Sequence, residues 1–188
     1  ARNPYSFEVN DIKCITNKII PYFEKTPEIH LIGHSRGGGA ALLAAKEIGS
    51  KTLSLWASIS SIASRFPANE ALNKLEEDGI RHVENSRTKQ ALPQYFSLFQ
   101  DFQENHKRLD IEIAARSLEC AASVFHGKQD KSVDLSEGHS LAKWLNVDLF
   151  ILENADHVFG AKHPWKENQL PIALKKLCAE TCLFLIKN

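Results

Sequence analysis

The sequence lacks methionine and lacks net charge: Lys+Arg and Asp+Glu number 23 each among 188 residues. A balanced surface of this kind favours neither nucleic acid nor an anionic membrane, so no nucleic-acid or membrane partner is expected. A secretory leader and a bilayer-length apolar run are also missing. The most apolar segment, residues 170–186, is interrupted by Lys175, Lys176 and Glu180, which is the pattern of an amphipathic docking helix. A cytoplasmic location is the expectation. The four cysteines, Cys14, Cys120, Cys178 and Cys182, are too sparse for a disulfide scaffold. Cys178 and Cys182 have no nearby His or Cys to complete a zinc set, so buried thiols are expected, with no metal and no cofactor. The chain starts at Ala1 without an initiator, which raises the expectation that residues precede it.

What is present is ordinary for a globular chain: 43% hydrophobic and 24% charged residues. One domain over residues 1–188 is the natural reading, without repeats or low-complexity linkers. Residues 10–25 carry Ile12, Ile15, Ile19 and Phe23 at helical spacing, with Pro21 expected to kink or split the helix. Strands are predicted at 29–32, 52–58, 121–126 and 147–152. Helices are predicted from about Gly37 to Ile48, over 134–145 and over 170–186. Strand–helix–strand succession implies right-handed parallel crossovers, hence an α/β fold with a mostly parallel sheet flanked by helices. Between 61 and 118 that rhythm breaks. A charged helix at 69–78 closed by Gly79, a small hairpin over 80–89 turning near Glu84-Asn85, a helix over 93–106 and a short helix capped by Asp110 are expected there. Together they read as an inserted helical cap over the carboxyl edge of the sheet.

The chemistry centres on Gly33-His34-Ser35-Arg36-Gly37, a G-x-S-x-G pattern between a strand and a small-residue helix. A tight strand-to-helix turn lifts Ser35 Oγ out of the sheet and leaves the backbone N–H of Arg36 at a helix N-terminus, where it can hold an oxyanion. The competing readings are a turn that only permits close packing and a phosphate loop. The phosphate loop lacks its Gly-Lys-Ser/Thr ending. A serine hydroxyl is a weak nucleophile, so it needs a base and the base needs an orienting acid. Asp130 and His157 both follow predicted strands, at the carboxyl ends where open α/β sheets place their sites. Asp134 is the rival acid, though Asp134 with Glu137 resembles a capping box; His163 is the rival base. His34 and His126 read as shaping the site, and the Arg36 side chain as a possible contact to a substrate carboxylate.

With Gly33-His34-Ser35-Arg36-Gly37-Gly38, His126-Gly127-x-x-Asp130-x-x-Val133 and Asp156-His157-Val158-Phe159 in the order Ser, Asp, His, the chain resembles the α/β-hydrolase family. The likeness is to its dienelactone-hydrolase-like and serine-aminopeptidase-like esterases and peptidases, and runs from about Ile29 to the end. The resemblance implies hydrolysis of an ester, thioester or amide through an acyl-serine intermediate, acting on a small-molecule acyl substrate or short peptide. Ser35 would be the nucleophile, His157 the base, Asp130 its orienting acid and the Arg36 N–H the oxyanion donor. It also implies strands before residue 29 and a second oxyanion donor, and neither is found in this chain. A preceding segment or a partner chain is therefore expected to pair beside 29–32, a run apolar on both faces like an interior parallel strand. A non-catalytic small-molecule-binding protein on the same fold and an inactive fragment are the rival readings.

Overall fold

The computed structural model describes residues 3–84 and 89–188. Pro4 opens α1 (Tyr5–Ile19), which begins earlier than the periodicity suggests and passes at Pro21 into a 3-10 turn, Ile20–Tyr22. Its buried face is Tyr5, Ser6 and Val9, while Ile15 and Ile19 point outward. Strand β1 (His30–His34) leads into α2 (Arg36–Ala45), and β2 (Thr52–Trp56) follows after a turn at Gly49. The insert then contributes α3 (Glu70–Asp78), β3 (Ile80–Glu84), β4 (Ala91–Tyr95), α4 (Phe96–Glu104) and α5 (Ile111–Arg116). Alternation resumes with β5 (Ala121–Gly127), α6 (Leu135–Leu145), β6 (Leu149–Leu152) and α7 (Ile172–Lys187).

The main sheet is parallel throughout, in the order β1-β2-β5-β6. Strand alternation assigns its faces. Leu53, Leu55 and Val124 enter the larger core with Tyr5, Val9, Leu42, Ile111 and Leu141. Phe125 enters a smaller core with Leu152, Phe159 and Leu177 of α7. Trp56 packs against that second cluster and its Nε1–H donates to Thr181 Oγ1 of α7 at 3.1 Å. Register pairs on the polar positions are also satisfied: Ser54 with Ser123 at 2.8 Å, and His30 Nδ1 with Thr52 Oγ1 at 2.9 Å.

Strand β1 lies at the edge, and among the described residues it pairs only with β2. Leu31 packs against the larger core, whereas Ile32 on the opposite face is 49% exposed. The run that reads as interior thus has one neighbour here.

Four local expectations need correction. The hairpin forms, but its second strand is Ala91–Tyr95; Asn85, the turn residue expected, lies outside the described residues. The helix read over 93–106 therefore begins only at Phe96. Pro93 pairs across from His82, which a two-stranded ribbon tolerates because both of its strands are edges and need no donor from every residue. Asp134 does cap α6, accepting from Ser136 N at 2.9 Å, but Glu137 does not close a capping box. It turns instead to the start of the insert, accepting from Ser60 N at 2.8 Å and pairing with Arg65. The cysteines are free thiols, with Cys14 and Cys182 exposed rather than buried.

The aromatic stripe of α4 is core. Phe99 and Phe102 stand 5.2 and 5.7 Å from the ring of Phe66, in edge and tilted contacts that add to area burial. Among the described residues, no helix is long and apolar enough to cross a membrane.

Candidate active site

Ser35 sits between the end of β1 and the first turn of α2 with φ 56° and ψ −126°, a backbone conformation that L-residues rarely hold. The turn is fixed on both sides: Ser35 N–H donates to Trp56 O at 3.0 Å, and Ser35 O accepts from Gly38 N at 3.0 Å. Two glycines let the helix pack onto the strand. A Cβ on Gly33 would stand 2.6 Å from Gly38 Cα, and one on Gly38 would stand 2.4 Å from Ser58 Oγ. Gly37, the final glycine of the motif, faces open space, so packing demands Gly38 rather than Gly37.

The three residues singled out from the sequence meet at this turn. Ser35 Oγ lies 3.0 Å from His157 Nε2, and His157 Nδ1 lies 2.7 Å from Asp130 Oδ2. Asp130 follows β5 and His157 follows β6, and Gly127 lets the two loops touch. A Cβ there would be 2.5 Å from the Ala155 carbonyl oxygen, and Gln129 N–H donates to that same oxygen at 2.9 Å. Asp156 shapes the histidine loop by accepting from Val158 N at 3.2 Å and Gly160 N at 2.8 Å.

Electrostatics match this geometry. The Asp130 side chain is buried. Burial works to raise its pKa. Hydrogen bonds from His126 and His157, then from the Val133 and Ser132 amides, outweigh that and hold the carboxyl well below the usual carboxylate range. Oδ1 takes the amides of Ser132 at 2.8 Å and Val133 at 3.0 Å, leaving Oδ2 for the imidazole. An ionised, pre-aimed carboxylate holds His157 in the tautomer with the proton on Nδ1, so Nε2 is free to accept from Ser35.

Arg36 divides its functions. Its amide is the first of α2, where N–H groups have no acceptor within the helix. Its side chain turns away from the cavity: Nε pairs with Glu8 at 3.0 Å, and the guanidinium lies 3.9 Å over the Tyr5 ring. A role for that side chain in gripping a substrate carboxylate is therefore corrected. Asp134 is occupied as a cap and His163 is exposed, so neither rival takes a place at the centre.

Sequence reasoning gave His34 only a site-shaping role and singled out no residue of the β3–β4 ribbon for the site. His34 Nε2–H donates to the His157 carbonyl at 2.8 Å and the two rings lie 4.7 Å apart, so His34 braces His157. A cavity of about 780 Å³ opens over Ser35 and His157, and its far wall is Val83 and Leu92 of the β3–β4 ribbon. These two are register partners, and each is nearly half exposed. The ribbon is anchored at the neighbouring pair on the same face, where the side chains of Arg81 and Gln94 bond each other and the Arg65 carbonyl. Neither strand alternates apolar and polar residues, so nothing local marked Val83 and Leu92, and only the fold shows which face meets the serine.

No family model and no curated protein matches this sequence. Solved structures do match it. Est1E from Butyrivibrio proteoclasticus, in a crystal with ferulic acid bound, superposes with a TM-score of 0.71 at 15% identity, over 100% of this chain and 71% of its own. A structure from work on LipS and LipT, two metagenome-derived lipolytic enzymes, gives 0.68 at 14% identity, over 98% and 74%. MGS-MChE2, an alpha/beta hydrolase from lagoon sediments of Mar Chica, Morocco, gives 0.59 at 16% identity, over 96% and 70%. The chain thus spans about seven-tenths of the length of these proteins. The parallel sheet, the serine turn after β1 and these superpositions agree: the chain has the α/β-hydrolase fold.

Proposed function

We propose that the protein is a serine hydrolase that cleaves an ester, thioester or amide through an acyl-serine intermediate. The observation that carries the reading is the continuous hydrogen-bonded path Ser35 Oγ–His157–Asp130, with its serine on a strained helix-entry turn. Ser35 Oγ attacks the substrate carbonyl carbon while its proton passes to His157 Nε2. The carbonyl oxygen becomes an oxyanion facing the Arg36 N–H, and Asp130 stabilises the imidazolium. Collapse breaks the bond to the leaving group, which takes the proton from His157. Water then attacks the acyl-enzyme by the same proton path and regenerates Ser35.

Est1E holds ferulic acid and the LipS/LipT work concerns lipolytic enzymes, which favours an ester among the three bond types. The Val83–Leu92 wall suits an apolar group on that ester, held opposite the nucleophile. A strand from a preceding segment or a partner chain, paired along the open edge of β1, would complete the sheet there and could bring the second oxyanion donor. Hydrolysis of p-nitrophenyl acetate by the protein and by Ser35→Ala tests the reading. Loss of turnover in the variant supports it; equal turnover in both sets it aside.

A further inference from the structure

His126, the penultimate residue of β5, is wholly buried and takes no direct part in the proton path. Its Nε2 faces two acceptors, the Val133 carbonyl at 3.0 Å and Asp130 Oδ2 at 3.4 Å, so the ring proton belongs there. Its Nδ1 is buried without a hydrogen-bond partner. A Cβ on Gly138 of α6 would stand 2.7 Å from that nitrogen. An imidazole with one nitrogen stranded is a poor filler for an apolar space, which leucine or phenylalanine would fill without the loss. What the apolar residues lack is the Nε2–H.

We propose that His126 is a positioning residue that fixes the aim of Asp130 at His157, and that residue 138 is glycine to leave its ring room. The inference rests on the hydrolase reading and adds a residue to that site. Val133 is held from both sides, its N–H by Asp130 Oδ1 at 3.0 Å and its carbonyl by His126. The loop is therefore clamped to the end of β5 with Oδ2 turned towards His157 Nδ1. Charged groups around the ring are Asp130 and, more weakly, Asp134 at the α6 cap. His157 faces Asp130 and His34, and shares its cavity with Glu84, Lys131 and Asp156, none of which the test variants alter.

The test uses the full protein with His126→Leu, His126→Gln and Gly138→Ala. Rates on p-nitrophenyl acetate are followed against pH, and the His157 Nδ1 proton is followed as a downfield resonance in ¹H NMR. His126→Leu is expected to lower kcat on the order of 10- to 100-fold, the effect of removing an outer partner at metal-bound histidines. KM should stay within about 2-fold, since no substrate contact is lost. A carboxylate that has lost its aim supports the imidazolium less, so the acid limb of kcat/KM should move to lower pH and the resonance should weaken. His126→Gln, which returns an N–H donor, should restore most of the rate, and Gly138→Ala should show the Leu signature in milder form.

An unchanged pH profile and resonance in His126→Leu overturn the proposal, leaving His126 as packing. An acid limb moving to higher pH also overturns it, because Asp130 would then have kept its aim and merely lost a competing donor. If His126→Leu does not fold, Gly138→Ala decides by the same two readouts. Turnover that survives Ser35→Ala would instead sink the hydrolase reading, while the resonance, which needs no turnover, still decides the question of His126.

Discussion

Replacing Asp130 with asparagine removes one charge and keeps the shape. Asparagine would place its carbonyl at the Oδ1 position, because two backbone N–H groups, from Ser132 and Val133, demand an acceptor there. The amide NH₂ must then occupy the Oδ2 position, 2.7 Å from His157 Nδ1 and 3.4 Å from His126 Nε2. His157 responds by moving its proton to Nε2, where it points at Ser35 Oγ and cannot accept. The His126 proton also meets a donor instead of an acceptor. Loss of the correct tautomer in a triad of this geometry costs roughly 10⁴-fold in kcat, about 5.4 kcal/mol of transition-state stabilisation. KM should move little, since the carboxylate does not line the cavity. Steady-state kinetics on an aryl ester, with circular dichroism to confirm the fold, provide the assay. An Asp130→Asn enzyme within about tenfold of the wild-type kcat would refute the reasoning about tautomer and aim.

The depressed pKa of Asp130 also links stability to pH: a carboxyl lowered on folding stabilises the protein above its unfolded value of about 4. That contribution is lost as pH falls through the folded value, so the wild type's advantage over Asp130→Asn in urea unfolding should shrink below about pH 4; an advantage constant with pH would contradict the linkage. Leu92→Ser should raise KM for esters of apolar acids roughly 5-fold, about 1 kcal/mol for partial burial, without lowering the melting temperature. Phe99→Ala should do the reverse, losing about 2–4 kcal/mol in urea unfolding with KM unchanged, because its ring packs on Phe66 and not on the cavity. The open edge of β1 should make the 188-residue chain self-associate in size-exclusion chromatography, and Ile32→Lys should reduce this; an unchanged, strictly monomeric profile for both would show the edge to be harmless.

The turn at Ser35 and the strand ends that carry Asp130 and His157 were legible in the sequence because they reside in short local patterns. A strand ending near Gly33, a serine and a small-residue helix can hardly form anything but a tight turn, and Asp130 and His157 each follow a short apolar run of strand length. The helix caps at Asp110 and Asp134 and the left-handed stop at Gly79 were legible for the same reason. What depended on distant partners was not. Ala91–Tyr95 becomes a strand only because Ile80–Glu84 lies beside it, and nothing local distinguishes it from the first turn of the following helix. The choice of Gly38 over Gly37 as the packing glycine depends on Ser58, and the unpaired nitrogen of His126 depends on the approach of α6. Glu137 had the local credentials of a capping residue, but the part-buried Ser60 N–H and the Arg65 guanidinium offered stronger partners.

The most direct measurement of whether Ser35 is an activated nucleophile is covalent capture by a fluorophosphonate. The reagent forms an adduct only where a serine oxygen is activated by a base and its phosphoryl oxygen finds an oxyanion donor. Intact-mass and peptide mapping are expected to show one adduct per chain, on Ser35, absent from Ser35→Ala and strongly slowed in His157→Ala. A folded protein that takes no label, or takes it at another serine with Ser35 untouched, would contradict the assignment of Ser35, His157 and Asp130 as the catalytic set.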